Sequence, residues 1–454
     1  MSNRTRIPPV AAARLDEVVK AYDIRGLCPE QLDADMCRGL GAAFARFTAS
    51  PRVVIGRDMR PTGVDLAEAF ADGVQSQGVD VLDIGLASTD LTYFASGHLD
   101  LPAAMLTASH NPAEYNGIKL CGAGAAPIGA ESGLMDIKAM AIEGLDHLEA
   151  PGGRSGDDLL GAFVEHVHSF VDTSALRPLK IVADTANGMG GHVAPSVFAD
   201  LAFDVEFMYV ELDGTFPNHP ADPIQPENLV DLQRRVLEVG ADVGLAFDGD
   251  ADRVFLVDEN AAPVSGSLTT ALVAQGVLRR EGPGPILHNL ICSKATAEVI
   301  REGGGEPVRT KVGHSFIKAQ MAETGAAFGG EHSGHYYFRR NYRADSGLIA
   351  ALVVLEQMST AGVPLSELLV PLDRYAASGE INTRVADAGA VIERVAEHYG
   401  DHQQDRLDGL TVDCGEWWFN LRPSNTEPLL RLNLEAPDPD AVDRHVAEVR
   451  DLFT

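Results

Sequence analysis

One plan recurs three times along the chain, and it restricts the fold more than any other feature. Arg52 to Gly56 reads as a strand, Val64 to Gln77 as a helix and, after Gly78, Val79 to Ile84 as a second strand. The order returns as Lys180 to Ala183, a glycine-rich loop, Val193 to Asp200 and Phe203 to Val210. It returns again as Pro285 to Leu287, Lys294 to Glu302 and Pro307 to Arg309. A strand, a helix, a glycine and a strand at this spacing form a crossover unit, which lays its two strands parallel. The sequence therefore predicts an α/β protein of three related domains with mixed, largely parallel sheets, rather than one very large sheet.

The tail follows another pattern. Leu410 to Cys414, Glu416 to Leu421 and Leu429 to Leu434 alternate like strands, and Asp440 to Phe453 has helical periodicity, so a C-terminal α+β domain is expected. The Pro/Gly-rich stretch Glu149 to Gly156 reads as a flexible linker. Asp258-Glu259-Asn260 reads as a hairpin turn, and Pro371 ends a helical stretch. These points predict domains at 1–150, 151–258, 259–371 and 372–454, and a length of 454 residues is too great for one compact core.

A net charge of −30 argues against nucleic acid or an anionic membrane as partner, since both need a basic footprint. It leaves room for a small anionic substrate held by local arginines and backbone amides. The five cysteines lie far apart with no Cys-x-x-Cys pair, which fits buried thiols in a reducing compartment better than a disulfide framework or a zinc site. Residues 1–10 have no apolar core like that of a signal peptide, and no apolar run is long enough to cross a bilayer. A cytoplasmic protein is expected, and nothing in the sequence sets an oligomeric state.

Four polar loops carry the chemistry. Ala103 to Leu106 looks like a buried strand that breaks into Thr107-Ala108-Ser109-His110-Asn111-Pro112, where Pro112 biases Asn111 away from helix. Ser109 can present its oxygen to a ligand there, although the same residues also suit a plain polar turn. Asp248-Gly249-Asp250-Ala251-Asp252-Arg253 lies between two strand-like runs, and three carboxylates crowded into one turn are usually compensated by a hard cation. Asp248, Asp250, Asp252 and Glu259 also fall at calcium-loop positions one, three, five and twelve, but Arg253 replaces the turn glycine and strands replace the flanking helices. Mg²⁺ is therefore the better match.

In Gly329 to His335 the glycines allow close approach of the backbone to a ligand, and Glu331 and Ser333 can bracket neighbouring sugar hydroxyls. Arg422-Pro423-Ser424-Asn425-Thr426-Glu427-Pro428 combines a guanidinium fork, hydroxyls and an amide, which suits a phosphate dianion as well as a capped turn. Arg25, Lys119 and His314 would each pass, in isolation, for a surface charge or a structural residue.

In this order, the loops from Lys20 to about Leu434 resemble the α-D-phosphohexomutase family, most closely its bacterial phosphomannomutase/phosphoglucomutase members. The resemblance implies four domains around a central cleft, each contributing one loop. It implies a phosphorylated Ser109, with Mg²⁺ held by Asp248, Asp250, Asp252 and an oxygen on Ser109. Arg25, Lys119 and Arg253 would surround the transferring group with positive charge, and His110 would orient the loop. Tyr22, Glu331 and Ser333 would bind the sugar, while Arg422, Ser424, Asn425 and Thr426 would hold the phosphate that does not react.

The expected reaction is interconversion of mannose 1-phosphate and mannose 6-phosphate, with glucose phosphates also accepted, through a hexose 1,6-bisphosphate that serves as intermediate and activator. His335, His314 and Lys119 remain alternatives for the general acid/base, because spacing does not choose among them. A phosphoglucosamine mutase, a metal-dependent sugar phosphatase and a non-catalytic sugar-phosphate or calcium-binding protein are the competing readings.

Overall fold

The computed structural model describes residues 6–423 and 429–453, with the backbone alone at His314. Its first three sheets repeat one topology. In the first, the parallel strands Asp80–Leu86, Arg52–Arg57 and Ala103–Leu106 are followed by antiparallel Tyr115–Gly122 and Ile24–Leu27. In the second, Asp204–Met208, Lys180–Asp184 and Val243–Phe247 are parallel, and Val254–Asp258 and Pro263–Val264 run antiparallel. The third has Glu306–Thr310, Pro285–Asn289 and Phe328–Gly330 parallel, then Tyr336–Phe338 antiparallel. Each sheet thus runs second, first, third, fourth strand, with the fourth reversed. The inner parallel strands Ala103–Leu106 and Val243–Phe247 are apolar and buried throughout because helices cover both their faces, whereas the outer strands Asp204–Met208 and Glu306–Thr310 mix in polar residues and are largely half-exposed.

The fourth sheet is antiparallel throughout, ordered Ala376–Arg384, Leu429–Ala436, Trp418–Pro423, Leu410–Asp413 and Gln403–Asp405. Helices Ala388–His398 and Pro439–Asp451 complete this α+β unit, and its core, built on Val395, Phe419, Leu432 and Val449, is its own.

The other three units share a core. One continuous apolar cluster joins Phe94, Phe163, Val193, Phe247, Leu272 and Leu348. At its centre lies the helix Gly347–Ala361, whose run Leu348 to Leu355 is buried, so it is apolar on every side rather than amphipathic. Truncating Leu348 to alanine there would cost about 2–5 kcal/mol. The fourth unit docks more lightly, through the Arg309–Asp405 ion pair, the Lys294 amide donating to Glu435 Oε2 at 2.9 Å and the Lys294 ammonium donating to the Gly415 carbonyl at 2.7 Å.

Two expectations about boundaries need correction. Within the stretch read as a linker, Arg154–Gly156 is a parallel edge strand on Asp80–Leu86, and Arg154 pairs with Glu68 and Asp83. A short, exposed, polar strand carries no alternation to mark it. The cut at residue 258 falls inside a hairpin, because Pro263–Val264 pairs back onto Leu256 and Val257. Among the described residues, no helix is long and apolar enough to cross a membrane.

Candidate active site

The shared topology puts one functional loop at the same place in each of the first three sheets, where the last parallel strand turns into the antiparallel one. These are the turns after Leu106, after Phe247 and after Gly330. In open α/β sheets the carboxyl ends of the parallel strands are where ligands bind, because loop and helix termini converge there.

The loops meet. The Ser109 hydroxyl donates to Asp248 Oδ2 at 2.9 Å across 139 residues of sequence. Arg253 Nη2 lies 3.5 Å from Ser109 Oγ and donates to His110 Nδ1 at 2.5 Å, while its Nε donates to Asp248 Oδ2 at 2.9 Å. The approach is close enough to require Gly249: a β-carbon there would stand 2.3 Å from the Ser109 carbonyl oxygen. Arg253 and His335 pair through their backbones as an isolated antiparallel bridge, which locks the second loop to the third. Arg25, on strand Ile24–Leu27, donates to Asn111 Oδ1 at 2.6 Å and steadies the serine loop from the other side.

Asp248, Asp250 and Asp252 are buried, at 0%, 0% and 1% exposure, and their oxygens cluster within 4.8 Å. Lys119 Nζ bridges Asp250 Oδ2 and Asp252 Oδ2 at 2.7 Å each, and the Thr89 hydroxyl donates to Asp250 Oδ2 at 2.6 Å. The Oδ1 atoms of Asp250 and Asp252 have no hydrogen-bond partner. Three crowded carboxylates with two orphaned oxygens are an oxygen-only donor set that fits a hard divalent cation.

Burial pushes the Asp248 carboxyl well up, against the Arg253 guanidinium, and burial also raises Asp252. It acts the same way on Asp250, but the Lys119 ammonium outweighs it and holds that carboxyl well below the usual range. Lys119 is itself held well above its ordinary value, because Asp250 and Asp252 overcome the cost of its burial. The calcium-loop alternative fails structurally: Glu259, its twelfth position, accepts from the Ser366 amide at 3.2 Å and sits beyond the hairpin strand.

The loop from Glu331 to His335 is equally ordered. Glu331, 2% exposed, accepts the Tyr337 hydroxyl at 2.7 Å on Oε1 and the Gly313 amide at 3.1 Å on Oε2. His335 Nδ1 is 3.1 Å from Ser333 Oγ, its Nε2 is 3.8 Å from Asp252 Oδ1, and its ring stacks on Tyr337. Burial lowers the His335 pKa despite Asp252 and Asp345. Burial, then Arg253 and Arg25, drives His110 further down, so its ring is neutral and accepts from Arg253.

Tyr22 donates to the Val312 carbonyl at 3.2 Å and packs against Gly313. Burial raises its pKa, with Asp408 and Glu331 adding to the effect and Arg422 opposing it, so charges of the first, third and fourth units converge on this ring.

Arg422 stands apart from the cluster, at the end of strand Trp418–Pro423, and donates to Glu380 Oε2 at 2.7 Å. Ser424, Asn425 and Thr426 lie outside the described residues, as does the side chain of His314, the first residue of helix His314–Thr324. Sequence reasoning passed over Asp58, Arg60, Thr89 and Tyr337. The one available signal was a charged pair, Asp58 and Arg60, placed directly after the parallel strand Arg52–Arg57.

Comparison with known proteins agrees along the whole chain. Phosphoglucomutase/phosphomannomutase α/β/α domains I, II and III match residues 16–141, 161–262 and 265–375, and the C-terminal domain of that family matches 380–452. The chain is 40% identical over 440 residues to the phosphohexose mutases of Xanthomonas campestris pv. campestris, covering 96% of this chain and 98% of that one. It is 41% identical over 431 residues to a phosphomannomutase of Salmonella montevideo, covering 92% and 94%. The crystal structure of a phosphoglucomutase/phosphomannomutase family protein from Burkholderia thailandensis superposes with a TM-score of 0.88 at 32% identity, covering 98% of this chain and 97% of that one. With all four domains matched in order and the loops of the first three meeting beside one serine, this chain belongs to the phosphoglucomutase/phosphomannomutase family.

Proposed function

We propose that the protein interconverts mannose 1-phosphate and mannose 6-phosphate, accepts glucose phosphates as well, and uses Ser109 as the phosphoryl carrier. The observation that carries this reading is the 2.9 Å contact between Ser109 Oγ and Asp248 in a buried cluster shared with Lys119 and Arg253. Mannose phosphate as the preferred substrate follows the phosphomannomutase relatives.

In the first half-reaction the bond between phosphorus and Ser109 Oγ breaks and a bond from phosphorus to a free sugar hydroxyl forms. The proton of that hydroxyl ends on Ser109 Oγ. The product, a hexose 1,6-bisphosphate, turns over in the cleft, and its other phosphoryl group returns to Ser109 by the reverse chemistry. A bisphosphate added in trace amounts therefore activates unphosphorylated protein.

Arg253 offers its guanidinium to the developing charge, and Glu331 and Ser333 hold the sugar hydroxyls common to both orientations. The second loop fits Mg²⁺, which Asp248, Asp250, Asp252 and a phosphate oxygen on Ser109 would hold and which would neutralise negative charge on the transferring group. Arg422 and the loop after it, Ser424 to Thr426, bind the distal phosphate.

For the proton, the chemistry favours His335 among the described side chains. Its ring is neutral because its pKa is lowered, whereas Lys119 is held protonated and His110 already accepts from Arg253.

The test is direct. Purified protein given mannose 1-phosphate, Mg²⁺ and a trace of bisphosphate should form mannose 6-phosphate, and Ser109→Ala should not. Inorganic phosphate released in step with substrate loss would overturn the reading in favour of a phosphatase. Initial rates on mannose, glucose and glucosamine phosphates, run side by side, rank the substrates.

A further inference from the structure

We propose that Arg60 is a positioning residue for phosphoryl transfer: it holds Ser109 in a left-handed backbone conformation that aims the hydroxyl at Asp248. The inference rests on the reading of Ser109 as the phosphoryl carrier. Ser109 has φ of 52°, a region a serine enters only when its surroundings impose it.

Arg60 supplies that imposition. Its Nη2 donates to the carbonyl oxygens of Ser109 at 2.8 Å and Asn111 at 2.6 Å, and its Nη1 to those of Pro112 at 2.7 Å and Tyr115 at 2.9 Å. Its Nε donates to Asp58 Oδ2 at 3.2 Å. The donor capacity of a guanidinium is thereby spent on one loop and its anchor. The residue is 1% exposed and Asp58 0%.

Asp58 closes the frame from the other side. It accepts the Arg60 amide on Oδ1 at 3.0 Å as well as the guanidinium on Oδ2, while Thr107 Oγ1 accepts the Ser109 amide at 2.9 Å. Both backbone polar groups of Ser109 are thus tied by side chains, its carbonyl by Arg60, which Asp58 anchors, and its amide by Thr107.

The second domain seals this arrangement. The ring of Phe216 covers the guanidinium carbon at 5.3 Å from its centroid, and a β-carbon on Gly214 would stand 2.7 Å from Arg60 Cα. A lysine cannot replace this fork, because its single ammonium cannot span four carbonyls. The sugar-binding groups Glu331 and Ser333 are on the third sheet's loop and touch none of these atoms, so the effect of losing Arg60 should fall on chemistry rather than on sugar binding.

Arg60→Lys tests this, read alongside wild type and Ser109→Ala. With wild type active and Ser109→Ala silent, Arg60→Lys should lower kcat by about 100-fold, the scale of a 1 Å misplacement of a reacting group, with KM within about threefold. In Arg60→Ala, guanidinium in the millimolar range should recover kcat, and methylammonium at equal concentration should not. Wild-type kcat in Arg60→Lys overturns the proposal, as does a rise in KM that accounts for the loss. Failure of Arg60→Lys to fold overturns it too, by making Arg60 structural only. Should Arg60→Ala not fold, the kcat-against-KM split in Arg60→Lys decides. A wild-type protein that turns over no substrate, or an active Ser109→Ala, counts against the phosphoryl-carrier reading instead.

Discussion

Lys119 acts as a built-in counter-ion for the acidic turn, and Lys119→Met should expose that role. Its ammonium sits 2.7 Å from both Asp250 Oδ2 and Asp252 Oδ2, with the two carboxylates at 0% and 1% exposure. Removing one partner from a buried ion pair costs about 3–5 kcal/mol, because the remaining charge has no solvent to turn to. Two pairs are broken here, but they share one ammonium, so the single-pair figure applies. At about 2 °C per kcal/mol, the metal-free variant should melt roughly 6–10 °C lower than metal-free wild type. A divalent cation supplies the same positive charge, so excess Mg²⁺ should close most of that gap and should stabilise Lys119→Met more than wild type. Scanning calorimetry of both proteins in EDTA and in Mg²⁺ reads all four values. Equal melting temperatures in EDTA, or a gap that Mg²⁺ leaves untouched, would refute the reasoning.

Two further outcomes follow from buried carboxyls. Asp90 accepts from the hydroxyls of Ser88 and Ser346, and burial raises its pKa from 3.8 to about 7. The folded state therefore keeps a proton that the unfolded chain sheds, and this stability is whole below about pH 4 and is lost as pH climbs towards 7. Wild type should lose up to about 1.4 kcal/mol per pH unit across that window relative to Asp90→Asn, and parallel denaturation curves would contradict it. Glu331→Gln should raise KM for hexose phosphate about 10- to 100-fold, the worth of a charged hydrogen bond, with a smaller change in kcat. An unchanged KM in steady-state assays would take Glu331 out of sugar binding.

The parts of the fold that were legible share a physical cause. Lys294–Glu302 forms the expected helix to the residue, since its apolar positions recur at helical spacing between a serine cap and glycines. The first strands of the three repeats were visible because a parallel strand covered on both faces must be apolar along its buried run. Strand Arg154–Gly156 was not, because an exposed edge strand of three polar and small residues is held only by its backbone pairing. Nor was strand Ala376–Arg384, whose half-exposed residues carry little apolar signal.

The candidate site divides the same way. The Ser109, triple-aspartate and Glu331 loops are readable because each packs its polar groups into a few consecutive residues. Arg60 was hidden for the opposite reason: an arginine after a strand is normally solvated, and it is the fold that encloses this one between the serine loop and the segment around Gly214 and Phe216, over 150 residues away.

The order of amino acids alone commits this chain to three repeated α/β units, an α+β tail and a set of polar, acidic and glycine-rich loops, because periodicity and motif composition are local properties. Folding decides the rest. Whether Ser109 reaches Asp248, whether Lys119 or solvent neutralises the aspartates, and whether His335 is left neutral all depend on distances and burial created between segments more than a hundred residues apart. Such charges are set by what surrounds a group in space, and a linear sequence does not contain that surrounding.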